Sequence, residues 1–148
     1  MAKIIEGLKI YKPKVIKDKR GSVLHMIKKN SEIFKKFGEI YFSTLNPKMK
    51  KGWNLHKKMT LNLVCIKGKI KVVLYDNRNR SKTYKKINIF YLSRNKYSLL
   101  TIPPNIWCGY KNLSKNESIL ANCSTLPHDP NEVLRKPLND KVNKFYNL

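Results

Sequence analysis

The segment Leu61-Asn62-Leu63-Val64-Cys65-Ile66 runs into Lys67-Gly68 and then into Lys69-Ile70-Lys71-Val72-Val73-Leu74-Tyr75. Two apolar runs rich in β-branched residues, joined by a Lys-Gly step, are a hairpin signal. Gly68 supplies the positive φ that a tight hairpin turn requires. In the second arm Ile70, Val72 and Leu74 recur with period two and therefore share one strand face.

The same alternation continues outward on both sides. It predicts strands over Lys3 to Tyr11, Ser22 to Ile27 and Glu39 to Leu45 before the hairpin. After it come Lys86 to Leu92, Ser98 to Ile102, Trp107 to Asn112 and Ser118 to Cys123. Asp18-Lys19-Arg20-Gly21 reads as a turn and residues 76–81 as a loop. Helix is scarce. Ser31 is placed to cap a single helical turn reaching Phe37, and Asp129-Pro130-Asn131-Glu132 has the form of a short helix start ending near Arg135. Roughly nine or ten short strands with one or two short helices make an all-β sandwich or barrel.

The 148 residues fit one domain, taken as 1–148, and 41% hydrophobic residues are enough for a core. No apolar run approaches the roughly 20 residues of a membrane span, and the first ten residues carry no signal-peptide apolar stretch. Cys65, Cys108 and Cys123 have apolar neighbours and form no C-x-x-C pair. They read as reduced, packed thiols, so a cytoplasmic protein without a membrane partner is expected. The formal charge of +23 invites a nucleic-acid reading. However, only five of the 32 basic residues are Arg, and the lysines spread along the whole chain. Arg makes the bidentate base contacts, and a nucleic-acid footprint is local. The charge reads mainly as solvated surface, and a nucleic-acid partner is not expected.

Five stretches carry a more specific signal: Asp18-Lys-Arg-Gly21, Gly52-Trp-Asn-Leu-His-Lys-Lys-Met59, Asp76-Asn-Arg78, Ile102-Pro-Pro-Asn-Ile-Trp-Cys-Gly109 and Asn122-Cys-Ser-Thr-Leu-Pro-His-Asp-Pro130. In this order, over Asp18 to Asp140, they resemble the dTDP-4-dehydrorhamnose 3,5-epimerase family of metal-free cupins that modify nucleotide-linked keto sugars. The resemblance implies a jelly roll, a homodimer and a nucleotide-diphosphate sugar bound inside the barrel. It matches Leu55-His56 to the family's catalytic base motif and Arg20 to a phosphate-binding arginine. The chain also departs from the pattern. The arginine expected before the Gly-Leu-His stretch falls at Trp53, the acid tyrosine at Ala121, and the histidine after Ile-Pro-Pro at Cys108. The chain is also shorter than members whose tail supplies the base's carboxylate partner. A second resemblance is to the sugar-nucleotide 3,4-ketoisomerases, cupins of similar length with two closely spaced histidines. Of these the Asn54-Leu55-His56-Lys57-Lys58 stretch keeps one.

Both reactions start by removing a proton next to a ketone, a task suited to a base that titrates near neutrality. His56 is the candidate base. Lys58, two residues on, would share its face on a strand and stabilise an enolate, while Lys57 would point away. Tyr110, Tyr41 or a water would return the proton. The expected catalytic set is thus His56, Lys58 and Tyr110. The substrate-binding set is Arg20, Trp53, Asn54, Lys57, Cys108 and Asn122. His25 reads as a surface strand residue and His128 as part of a structural turn. Three scattered histidines make no metal site, and no cofactor is expected. Two other readings stay open: a ketoisomerase, and a cupin that binds a nucleotide sugar without turning it over.

Overall fold

A computed structural model describes residues 3–139 and 148; Asp140, where the family resemblance ends, lies outside the described residues. The described chain forms twelve strands: β1 (Lys9–Tyr11), β2 (Val15–Asp18), β3 (Gly21–Leu24), β4 (Glu39–Leu45), β5 (Lys50–His56), β6 (Leu61–Lys67), β7 (Lys69–Asp76), β8 (Ile87–Ser93), β9 (Leu99–Ile102), β10 (Ile106–Asn112), β11 (Ser118–Ser124) and β12 (Val133–Arg135). Two five-stranded sheets have the orders β1-β9-β6-β11-β4 and β12-β5-β10-β7-β8, and β2 pairs with β3 as a separate ribbon. Every pairing is antiparallel. The two sheets pack as a jelly roll; β6 and β7 lie in different sheets and do not pair with each other, so the expected hairpin is instead a corner at which the chain crosses from one sheet to the other.

The side-chain period explains the layers. Leu61, Leu63 and Cys65 from β6 join Ile70, Val72 and Leu74 from β7 in the main core between the sheets. Their alternate neighbours also have cover. Val64 packs on the outer face of the first sheet against Leu99, Ala121, Met26 and Ile33. Val73 and Tyr75 pack outside the second sheet against Trp53, Trp107, Leu138 and Leu148. Because both faces are covered, these strands read as nearly continuous apolar runs. Gly68, at φ 78°, makes the tight corner between β6 and β7; a Cβ there would sit 2.0 Å from the Ser118 hydroxyl.

Three local expectations are corrected. Among the described residues there is no helix. Residues 31–37 make only a turn, in which the Phe34 N–H donates to the Ser31 carbonyl. Residues 133–135 form strand β12, with Val133 opposite His56 and Arg135 opposite Asn54. Cross-strand pairing on β5 outweighs the local Asp-Pro cap signal there. Before it, the Glu132 N–H donates to the Asp129 carbonyl, making one turn that is not continued. Finally, β1 begins at Lys9 rather than Lys3, because the Ile5 and Glu6 amides donate to the side chains of Asn88 and Thr83 instead of to a ladder.

Strand β5 positions the site. It meets β10 with a shift in register, Cys108 facing Asn54 but Tyr110 facing Lys51. Gly52 lies at the irregularity with φ 152°, and a Cβ there would come within 3.1 Å of the Gly109 backbone. The bulge lets Lys51 and Asn54 line the barrel interior while Trp53 and Leu55 face the outer cluster.

Candidate active site

His56 closes β5 at one end of the barrel. Its Nδ1 lies 2.7 Å from Oε2 of Glu132. The other carboxylate oxygen, Oε1, accepts the backbone N–H groups of Lys58 at 2.7 Å and Met59 at 2.8 Å. The Lys57 N–H donates to the Glu132 carbonyl, and the Asn105 N–H to the His56 carbonyl. The histidine and its carboxylate are therefore fixed by backbone contacts on both sides. Burial pushes the Glu132 carboxyl upward, but the donors from Lys58, His56 and Met59 outweigh it, and the group stays below its ordinary range. An ionised Glu132 requires the proton on Nδ1 of His56. Nε2 then carries the lone pair and is the atom that can take a proton.

Two adjoining compartments meet at this histidine. The outer one, about 290 Å³, is lined by Glu39, His128, Asp129, Glu132, Val133 and Arg135. The inner one, about 90 Å³, reaches down the barrel to Lys51, Leu61, Tyr110 and Asn122. Tyr41, Ser43, Asn54 and His56 line both. The outer volume stands at the lower edge of the usual ligand range.

Two phenols share the cavity with His56. The Tyr41 Oη accepts the Asn122 Nδ2–H at 2.8 Å, which leaves its own proton free to donate. Burial raises its pKa, as does the charge on Glu39 and Glu132, while the bond from Asn122 offsets part of the shift. Tyr110 is held well above its ordinary value, mainly by burial. Both are neutral donors at physiological pH.

The structure separates the expected residues. His56, Asn54, Asn122 and Tyr110 line the cavity. Lys58 lies beyond the end of β5, so it does not share the His56 face. With Lys57 it lines a neighbouring cleft that touches the outer compartment through Asp129 and Glu132. Arg20 sits in the β2–β3 turn, its side chain 84% exposed and paired with Asp18 at 2.8 Å, over a depression that shares no residue with the His56 cavity. Trp53 packs in the outer cluster of the second sheet. Cys108 packs in the core, its thiol pushed up to about 12 by burial. Ala121 belongs to the outer cluster of the first sheet, so the position expected for the acid faces away from the cavity. His128 lines the outer compartment, whereas the His25 backbone bonds to Lys14 at the end of β3. The sequence reading missed Glu132 and Arg135. The signal available for Glu132 was an acid, one of only nine, placed directly before the apolar Val133-Leu134 pair. Among the described residues no group of three or more His, Cys, Asp or Glu is gathered as a metal site.

Residues 6–140 match the family described as FdtA: WxcM-like, C-terminal. The chain is 36% identical to a dTDP sugar isomerase from Desulfovibrio desulfuricans G20, covering 97% of this chain and 90% of that one with a TM-score of 0.91. The spore coat polysaccharide biosynthesis protein SpsL of Bacillus subtilis strain 168 is 26% identical over 129 residues, 87% of this chain and 85% of the relative. The fold is shared with the dTDP-6-deoxy-D-glucose-3,5-epimerase of Legionella pneumophila Philadelphia 1, at 23% identity, 92% and 76% coverage and a TM-score of 0.83. The described architecture is thus that of a cupin, and the chain belongs to the WxcM-like, C-terminal family.

Proposed function

We propose that the protein is an epimerase or isomerase of a nucleotide-linked 4-keto sugar, serving surface-polysaccharide synthesis. The observation that carries this reading is the His56–Glu132 pair at the junction of the two compartments. In the proposed step, Nε2 of His56 takes the proton from the carbon beside the ketone, and the C–H electrons move onto the carbonyl oxygen as an enolate. Glu132 steadies the imidazolium that forms. Tyr41, lining both compartments with its O–H free, is the stronger candidate to return a proton from another direction, with Tyr110 deeper in the barrel as the other. Two proton-handling groups in one cavity suit inversion at carbon. The isomerase and polysaccharide-biosynthesis proteins that the chain resembles support the substrate class.

A ketone shift by a single base is the second reading. It is favoured by Ala121, which leaves the cavity without a tyrosine at the expected position on β11. Arg20 would join the site only if the β2–β3 ribbon were presented to another copy of the chain in a homodimer.

Incubation with dTDP-4-keto-6-deoxyglucose in D2O, followed by proton NMR, separates these readings. Deuterium at C3 or C5 with inversion supports epimerisation. Deuterium at C3 with migration of the carbonyl supports the ketone shift. No exchange with this or the corresponding GDP, UDP and CDP sugars contradicts both.

A further inference from the structure

We propose that Arg135 is the residue that grips the diphosphate of the nucleotide sugar; the inference rests on the substrate class proposed above. Strand β12 lies beside β5 with Val133 opposite His56 and Arg135 opposite Asn54. Residues two apart on a strand share a face, and Val133 and Arg135 both line the outer compartment. The two are separated by roughly 7 Å along the strand. Arg135 thus lines the compartment two residues along the edge strand from the position opposite His56.

The electrostatics of the compartment single out this residue. Its three carboxylates are already engaged by donors. Glu39 accepts the His128 N–H at 2.6 Å, Asp129 accepts the Asn131 N–H at 2.9 Å, and Glu132 holds His56 and two amides. Arg135 is exposed, and among the described residues its side chain has no ion pair or hydrogen bond. A guanidinium offers five donors in a planar fork that fits phosphate oxygens in pairs, whereas a lysine is a point charge. None of the three other cations expected near the substrate lines this compartment, Arg20 being tied to Asp18 and Lys57 and Lys58 lying in the next cleft.

The test is titration calorimetry with thymidine, TDP, UDP, GDP and CDP at low salt, on the wild type and on the Arg135→Gln, Arg135→Lys and Arg80→Gln variants. The exposed Arg80 lies outside the site and controls for the loss of one positive charge. Arg135→Gln is expected to weaken the preferred nucleoside diphosphate about 10- to 100-fold, the range for losing a charge-assisted bond, and to leave the nucleoside unchanged. Arg135→Lys restores part of the loss, and Arg80→Gln stays within about twofold. Equal diphosphate affinity in Arg135→Gln and wild type overturns the role of Arg135 and leaves the proposed reaction standing. So does an equal loss in Arg80→Gln. A wild type that binds none of the diphosphates overturns the inference and the substrate class together. Thermal melts of each variant exclude misfolding as the cause of a loss.

Discussion

Glu132 holds Nδ1 of His56 at 2.7 Å across 76 positions of sequence, from the residue just before an edge strand that pairs with the histidine's own strand. The contact sets the tautomer of the imidazole and so decides which nitrogen faces chemistry. Its other oxygen closes the backbone of Lys58 and Met59. One carboxylate therefore fixes both the histidine and the turn that follows it.

Glu132→Gln keeps the size of the side chain and removes its charge. Turnover should fall by about 100-fold or more, the scale of a general base that has lost its activation, with KM changed little. Glu132→Asp should recover part of the rate if its shorter arm still reaches Nδ1. Steady-state kinetics on the NMR-active substrate checks this, and a change confined to KM would contradict the positioning role.

The same group makes a pH prediction. The folded-state pKa of Glu132 is depressed, so its stabilisation is present above the ordinary value of 4.5 and is lost as pH falls through the lower folded value. Wild type should lose stability on acidification below about pH 4.5, in excess of what Glu132→Gln loses. Urea midpoints measured from pH 6 to pH 3 would show the two curves converging. Parallel curves would mean that the carboxylate contributes no linkage.

Tyr41 and Tyr110 separate by consequence. Tyr41→Phe should slow inversion while exchange of the proton next to the ketone continues, because abstraction by His56 does not need the phenol. It should cost only about 1 kcal/mol of stability, since the Asn122 amide loses one acceptor. If Tyr110→Phe produces that uncoupling instead, the acid lies deeper in the barrel. Deuterium content and product configuration from one NMR time course supply both readouts.

Asp76 offers a prediction outside the site. Its side chain is fully buried and accepts from the Arg78 amide and guanidinium and from the hydroxyls of Ser81 and Thr83. Burial opposes ionisation, but these donors hold the carboxyl far below its ordinary range. Asp76→Ala leaves the Arg78 guanidinium without its counter-ion and should destabilise by about 3 kcal/mol or more. For a chain of this size that is a fall of roughly 10 °C in Tm. Nucleotide affinity measured below the new Tm should be unchanged.

The strands were legible where burial on alternate positions wrote a period-two pattern, as in β4, and where cover on both faces wrote a nearly continuous apolar run, as in β6 and β7. Strand β5 was harder to read from its pattern. It carries Lys50, Lys51 and Gly52, and its inward residues Asn54 and His56 are polar because they line a cavity. Strand β12 was misread because Asp129-Pro130-Asn131-Glu132 satisfies the local rules for a helix start, whereas pairing with β5 is a long-range contact that local rules do not see. His56, the proposed base, was expected from its motif. Its carboxylate partner was expected only in longer chains, and a contact across 76 residues leaves no spacing to read. The placement of the cations is a long-range matter of the same kind. Arg20 sits in a recognisable motif but folds onto a separate ribbon, and Arg135 sits in no motif yet reaches the cavity because β12 joins the sheet edge.

The most direct test of the central claim is deuterium exchange catalysed by the His56→Asn variant. With dTDP-4-keto-6-deoxyglucose, or whichever keto sugar the wild type exchanges, in D2O, the wild type should incorporate deuterium next to the ketone. His56→Asn should reduce that rate to the uncatalysed background while still binding the nucleoside diphosphate. Exchange by His56→Asn at a rate close to wild type would contradict the assignment of His56 as the base.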